Sequence, residues 1–345
     1  MCIYLGDSTD LTYYTQEHVL PAALGCCTKL EKGVVSDQAN EYFSPIERDV
    51  IEHSSIQMSR ILFGPGKRGK LAEKYASTSE VSVVNLNGKI GLGYMKGDKG
   101  YILNQFIIDE KNNIQFQLQS NDELDVQNEI ETLKKHFLSM GEKYVYVKMP
   151  SDVKCIYVTY FKDKIHIGFH DILSFTQIQE IKNLLSRNFT YSKLDTSCGH
   201  LSATIDIKNE YKKISIFAIK SALNTLAFIK GAEYITQTTD YKTITQLVTS
   251  GSEEVLNYVK GIGFDEVEKN RKNLHLDREQ LACILSEEGN KLKARLFVYE
   301  YGFEVSLCDA CTVPFNILLD GIVCDWKNRK DYRYLEFLKI KGVLC

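Results

Sequence analysis

Thr15-Gln16-Glu17-His18-Val19-Leu20-Pro21 and, a short way downstream, Val34-Val35-Ser36-Asp37-Gln38-Ala39-Asn40 decide how this chain is read. Pro21 removes a backbone donor and biases Leu20 to an extended shape, so the Glu-His pair belongs to a strand end or a loop. A helix is expected to begin near Asp37, which puts Asn40 close to its start. An imidazole can take a proton from water near neutral pH, while a carboxylate and an amide oxygen are hard ligands for Mg²⁺ or Mn²⁺. Such a set could activate water against a phosphodiester held on the metal. An isolated Glu-His pair is more often a solvated turn, so the surrounding pattern has to carry the weight.

Outward from these stretches, Pro45 suits a first helical position, and Ile46, Val50, Ile51, Ile56, Met58, Ile61 and Leu62 give the helix that follows an apolar side. Gly64-Pro65-Gly66 ends it, and Lys67-Arg68-Gly69-Lys70 then sets three cations in four residues. From Glu80 to about Phe175 the pattern is of short strands parted by turns such as Asn87-Gly88, interrupted by one helix bearing Leu124, Ile130, Leu133 and Phe137. Short connections make this region antiparallel in expectation. Helices are expected near 178–185, 211–229 and 241–248, and strands at 280–285, 293–299 and 303–307, with a turn at Glu288-Gly289-Asn290. No internal repeat is visible, and the best domain boundary lies between Gly64 and Lys74.

Composition bounds the classes. With 345 residues, 44% hydrophobic and 25% charged, the chain has the balance of a folded protein with a sizeable core. A net charge of -3 offers no long-range attraction to phosphate, so a nucleic acid would have to meet a local basic patch. Neither a signal peptide nor a membrane span is expected. The ten cysteines lack the dense spacing of a small secreted scaffold, and a reducing cytoplasm with free thiols is the expected setting. Cys308-Asp309-Ala310-Cys311 has C-x-x-C spacing but no second pair, and incidental thiols are the favoured reading. His166 and His170, on one face of a strand, lie about 13 Å apart, too far for shared ligation.

The first 70 residues resemble the HNH endonucleases of the ββα-metal class, in particular a bacterial group with the pattern C-x-x-C, E-H-x-x-P, V-C-x-x-C-N and a helix ending in a G-K-R-G-like stretch. Here the pattern runs Cys2 to Leu5, Glu17-His18-Val19-Leu20-Pro21, Val35-Ser36-Asp37-Gln38-Ala39-Asn40 and Gly66-Lys67-Arg68-Gly69. Lys220 to Gly231 is weakly similar to a helix downstream in such proteins. The resemblance implies His18 as general base and Glu17 and Asn40 as metal ligands. It departs where the family orients its base with an asparagine, a place near Gly33 here. It also departs at three of four zinc positions, occupied by Leu5, Ser36 and Ala39. A structural zinc is therefore not expected, and packing through Leu5 and Tyr42 would have to replace a contribution of order 10 kcal/mol.

The expectation is thus an α+β chain: an HNH-like ββα-metal module over 1–74, then a larger α+β body over 75–345 with a mainly antiparallel sheet. The implied activity is metal-dependent hydrolysis of DNA, double-stranded in expectation, with Mg²⁺ or Mn²⁺ as cofactor and restriction or phage defence as setting. Lys67, Arg68 and Lys70 would contact phosphates through charge, and the body would choose the substrate, a protein partner or a second copy. The alternative is a catalytically inactive HNH-like scaffold that binds DNA or protein.

Overall fold

The computed structural model describes every residue except 67–69, 71, 73–74, 87, 98, 120–125, 140–143, 186–189, 195–200, 205–208, 313–318 and 345. Lys67 and Arg68 thus lie outside the described residues. The chain is α+β and forms two compact units, Met1–Ser77 with Ile207–Cys345, and Thr78–Asp206. This division differs from the expected one over 1–74 and 75–345: the first residues share a unit with the last part of the chain, and the strand-rich middle is the separate piece.

The N-terminal segment contributes α1 (Asp37–His53) and α2 (Ile56–Phe63). Ser36 is extended and its side chain accepts from the Ala39 N–H, a cap that starts the helix at Asp37. Pro45 therefore sits inside α1 and does not open a helix. Phe43, Val50 and Ile51, buried on either side of it, hold the helix across the missing donor. The break falls later, at Ser54, whose Oγ donates to the Val50 carbonyl at 2.5 Å and accepts from the Ile56 N–H at 3.2 Å. A serine bonded this way competes with the helical ladder, which separates α2 from α1.

The middle unit has a four-stranded antiparallel sheet of β1 (Ser82–Leu86), β2 (Lys89–Lys96), β3 (Lys99–Ile102) and, at its far edge, β10 (Leu201–Thr204). Its second sheet runs in the order β6 (Val145–Lys148), β8 (Lys164–Phe169), β7 (Ile156–Phe161), β4 (Gln105–Ile108), β5 (Ile114–Gln119) and β9 (Thr190–Leu194). Helix α3 (Val126–Ser139) follows β5 and α4 (Phe175–Leu185) follows β8. The order contains one arrangement twice: a hairpin, a helix, and a strand that pairs parallel with the other copy's hairpin. The central contact is antiparallel, Phe106 opposite Val158. Ile130, Leu133 and Phe137 of α3 and Ile178, Ile181 and Leu185 of α4 pack with Phe106, Phe116 and Ile167 in one core.

The other unit is organised by α5 (Tyr211–Lys230), whose residues from Ile214 to Ala227 are all buried. Three further helices, α6 (Ala232–Thr236), α7 (Lys242–Ser250) and α8 (Phe264–Asn273), precede or flank the sheet, and α9 (Tyr334–Ile340) ends it. The sheet is antiparallel throughout, in the order β11 (Val259–Ile262), β14 (Tyr301–Cys308), β13 (Lys291–Val298), β12 (Leu281–Glu288), β15 (Leu319–Asp325) and β16 (Lys330–Arg333). Its side chains alternate: Leu281, Cys283 and Leu285 join the core with α5 and the N-terminal segment, while Ala282 and Ile284 join the one with Tyr334 and Phe337 of α9. No helix among the described residues is long and apolar enough to cross a membrane.

Gly25 fixes where the N-terminal segment meets this sheet. It ends a short 3-10 turn, Ala22–Leu24, with φ +106°, and a Cβ there would overlap the Trp326 side chain. We expect Gly25→Ala to destabilise the protein by about 1–3 kcal/mol, through both the positive φ and the overlap. Denaturant unfolding of the two proteins checks this; an unchanged midpoint would refute it.

Candidate active site

Glu17, His18 and Asn40 are placed by a small hairpin and the start of α1. Val19 N–H donates to the Thr28 carbonyl at 3.0 Å, Leu30 N–H to the Glu17 carbonyl at 2.8 Å, and His18 is bridged antiparallel to Lys29. The chain then turns through the buried Val34-Val35 step into α1. Asp37 latches the approach to the hairpin: its carboxylate accepts from the N–H groups of Tyr14 and Thr15, at 2.8 and 3.0 Å, and from the Thr15 hydroxyl at 2.6 Å. Those bonds hold its carboxyl far below the usual carboxylate range, the Thr15 hydroxyl first among them. Gln38 adds a bond from the Thr12 N–H at 3.1 Å.

Thr15 also orients Asn40. Its hydroxyl hydrogen goes to Asp37, so the hydroxyl oxygen can only accept, and the Asn40 Nδ2 faces it at 3.4 Å. The other end, Asn40 Oδ1, is buried with no hydrogen-bond partner. Such an orphan oxygen is costly unless something with positive charge meets it.

Glu17 is already paired. The Lys220 ammonium of α5 lies 2.6 Å from Glu17 Oε1 and 2.6 Å from Glu47 Oε1 of α1, with the lysine side chain 2% exposed. Burial works against the lysine's charge, but the two carboxylates outweigh it and its pKa is raised. Glu47 is pushed up as well, by burial first and by the neighbouring Glu17, with Lys220 opposing. One turn along α5, Asn224 donates to the His18 carbonyl at 3.1 Å and accepts from the Tyr4 hydroxyl at 2.7 Å. Lys220 and Asn224, at i and i+4, thus present one polar face of an otherwise apolar helix to the hairpin.

The His18 ring is half-buried, and burial lowers its pKa, with Lys29 adding to the effect and Glu17 and Asp331 opposing it. The neutral ring is therefore favoured in the fold. Among the described residues no hydrogen bond or ion pair joins the side chains of Glu17, His18 and Asn40 to one another. Of the other predicted residues, Lys70 is exposed, its ammonium 4.2 Å from the centre of the Tyr75 ring, and His53 is exposed in the last turn of α1.

The four positions aligned with the zinc ligands lie at the base of the hairpin. Cys2 and Ser36 are wholly buried, and both the N–H and the hydroxyl of Ser36 donate to the Cys2 sulfur at 3.4 Å. Ala39 is buried beside them, whereas Leu5 is exposed. Tyr42, half of the expected packing pair, donates to the Val248 carbonyl at 3.1 Å and stacks edge-on against Phe43. Hydrogen bonds and apolar contact thus stand where the resemblance places metal ligands.

Sequence reading missed Lys220 as a partner of Glu17 and missed Glu47 altogether. The signal was present: a single charged residue within Ile214-to-Phe228, a mostly apolar run with no charged face, has to find an anion. We expect Lys220→Met to destabilise by about 2–4 kcal/mol, because it leaves two partly buried carboxylates side by side without their cation. The loss should deepen with pH. Burial already raises the Glu47 carboxyl and Lys220 opposes that rise, so in the variant Glu47 titrates higher still and stability falls as pH rises from the carboxylate range toward neutral; in the wild type Lys220 stabilises the ionised form throughout that range. Unfolding at pH 5 and pH 8 measures this, and a pH-independent difference would refute it.

Comparison with protein-family models, with curated proteins and with solved structures found no significant match for this chain.

Proposed function

We infer that the protein is a metal-dependent DNA endonuclease of HNH-like type, hydrolysing phosphodiester bonds. The observation that carries this reading is the buried, unpartnered Asn40 Oδ1 on the first turn of a helix that follows a hairpin bearing Glu17-His18. A hairpin and helix in that order are what the ββα resemblance implies. The orphan oxygen is suited to the hard divalent cation that the chemistry requires. That cation would polarise the phosphate. His18, with its neutral form favoured, would take the proton from the attacking water. Glu17 fits less simply, since Lys220 already holds it. With all three groups ionised, Lys220, Glu17 and Glu47 together carry a charge of about -1, which attracts a cation to the region.

A second reading has its own observation. The Lys220 ammonium supplies a permanent positive charge between Glu17 and Glu47, which favours a catalytically inactive scaffold that keeps the hairpin-helix shape to bind DNA or protein.

Cleavage of plasmid and single-stranded DNA with Mg²⁺, Mn²⁺ or chelator separates the two. We expect metal-dependent cutting, reduced about 10²- to 10⁴-fold in His18→Ala and likewise weakened in Asn40→Ala, with unchanged unfolding midpoints. No cutting with either metal, or equal cutting by His18→Ala, would overturn the nuclease and leave the scaffold.

A further inference from the structure

Cys26, Cys324 and Asp331 come together beside the second strand of the hairpin, and none of them is a residue the resemblance names. Their ligand atoms lie within 4.8 Å of one another. The fold explains the meeting. Cys324 and Asp331 are direct cross-strand partners in β15 and β16, so both point to one face of the sheet, and Cys324 belongs to the core shared with α5. Gly25 turns the N-terminal segment onto that face, which buries Cys26 at 3% exposure while Cys27 stays exposed.

Asp331 is held as a ligating carboxylate is held. Its Oδ2 accepts from the N–H groups of Cys27 and Thr28, at 2.7 and 2.5 Å, and from the Cys26 thiol at 3.4 Å. Its Oδ1 is buried with no hydrogen-bond partner. One oxygen anchored by backbone donors and the other left bare is the arrangement that aims a carboxylate at a metal. A disulfide between the two cysteines would leave that bare oxygen unexplained. The second cluster, Asp240 with Cys308 and Cys311, differs on this point. Both Asp240 oxygens are taken, by the N–H of Thr312 at 2.7 Å and by its hydroxyl at 2.9 Å.

We propose that Cys26 Sγ, Cys324 Sγ and Asp331 Oδ1 bind a thiophilic divalent cation of the Zn²⁺ class, with water in the fourth position. Tetrahedral zinc with bonds of about 2.3 Å to sulfur and 2.0–2.2 Å to oxygen requires ligand separations of roughly 3.5–3.8 Å, against the present 4.8 Å or less among the two sulfurs and one Asp331 oxygen. Two thiolates select zinc over Mg²⁺ or Ca²⁺. On binding, each thiol loses its proton to solvent, and the ion's two charges meet two thiolates and one carboxylate. The ion would fasten the hairpin that carries His18 to the last two strands of the sheet. It does so whether or not His18 is catalytic.

The test is the metal content of the full chain, purified without chelator from zinc-supplemented cells, and the spectrum after exchange with Co²⁺. We expect about one zinc per chain and a thiolate-to-cobalt charge-transfer band in the wild type. Both should be lost in Cys324→Ser and in Cys26→Ser, and both kept in Cys308→Ser. The wild-type band is decisive if a variant fails to fold, since a cation on Asn40 has no sulfur ligand and gives no such band. The proposal is overturned by a wild type with neither zinc nor band, or by zinc that survives in a folded Cys324→Ser. It is overturned equally by a two-hydrogen mass deficit under non-reducing conditions that Cys324→Ser abolishes.

Discussion

A buried ammonium must be paired, and that requirement organises the unit built on α5. Lys220 lies within a helix whose other buried residues, Phe217, Leu223 and Leu226 among them, are mostly apolar and carry no charge. Leaving its charge alone there would cost several kcal/mol, so the helix needs anions brought to it. They come from two places: Glu17 on the hairpin and Glu47 on α1. The Tyr4 hydroxyl closes the arrangement, its one hydrogen directed to Asn224 Oδ1 at 2.7 Å with the Lys220 carbonyl at 3.2 Å. Hairpin, first helix and central helix are therefore one electrostatic structure, which is why the N-terminal segment shares a unit with the end of the chain.

Much of the fold was legible because it is local. Alternating β-branched residues and glycine turns placed β12 to β14 to within three residues at every end, and Gly289 at φ +64° serves the tight turn its neighbours suggested. Pro45 misled because a strong local signal, the preference of proline for a helix start, was overruled by a better one, the Ser36 cap together with the Asp37 latch. The paired hairpin-helix-strand arrangement of the middle unit left no mark. Its two copies share geometry and strand order, and nothing in the spacing of Phe106 or Val158 announces that they face each other.

The site divides in the same way. Asn40 was legible, since its position follows from where the helix starts, and Thr15 and Asp37, which orient it, lie in the two stretches that drew attention. Lys220 is more than 200 residues from Glu17, and Cys324 and Asp331 lie nearly as far along the chain from Cys26 as its length allows. Partners at such separations are set by packing, which single-sequence periodicity does not encode.

The pairing of Glu17 with Lys220 shifts where chemistry can occur. An ammonium can balance a carboxylate as well as a metal ion does, but it has no open coordination position. It can neither polarise a phosphate oxygen nor lower the pKa of a bound water. If Glu17 serves Lys220, the Lewis acid that the proposed hydrolysis needs would be anchored elsewhere, and the bare oxygen of Asn40, whose Nδ2 faces the Thr15 hydroxyl, would be the atom to hold it. On the proposed reading Asn40, which looks secondary in the motif, would then be the residue on which hydrolysis depends, and Glu17 would be a tether. A buried amide oxygen without a partner carries a desolvation cost, and a bound cation would offset it.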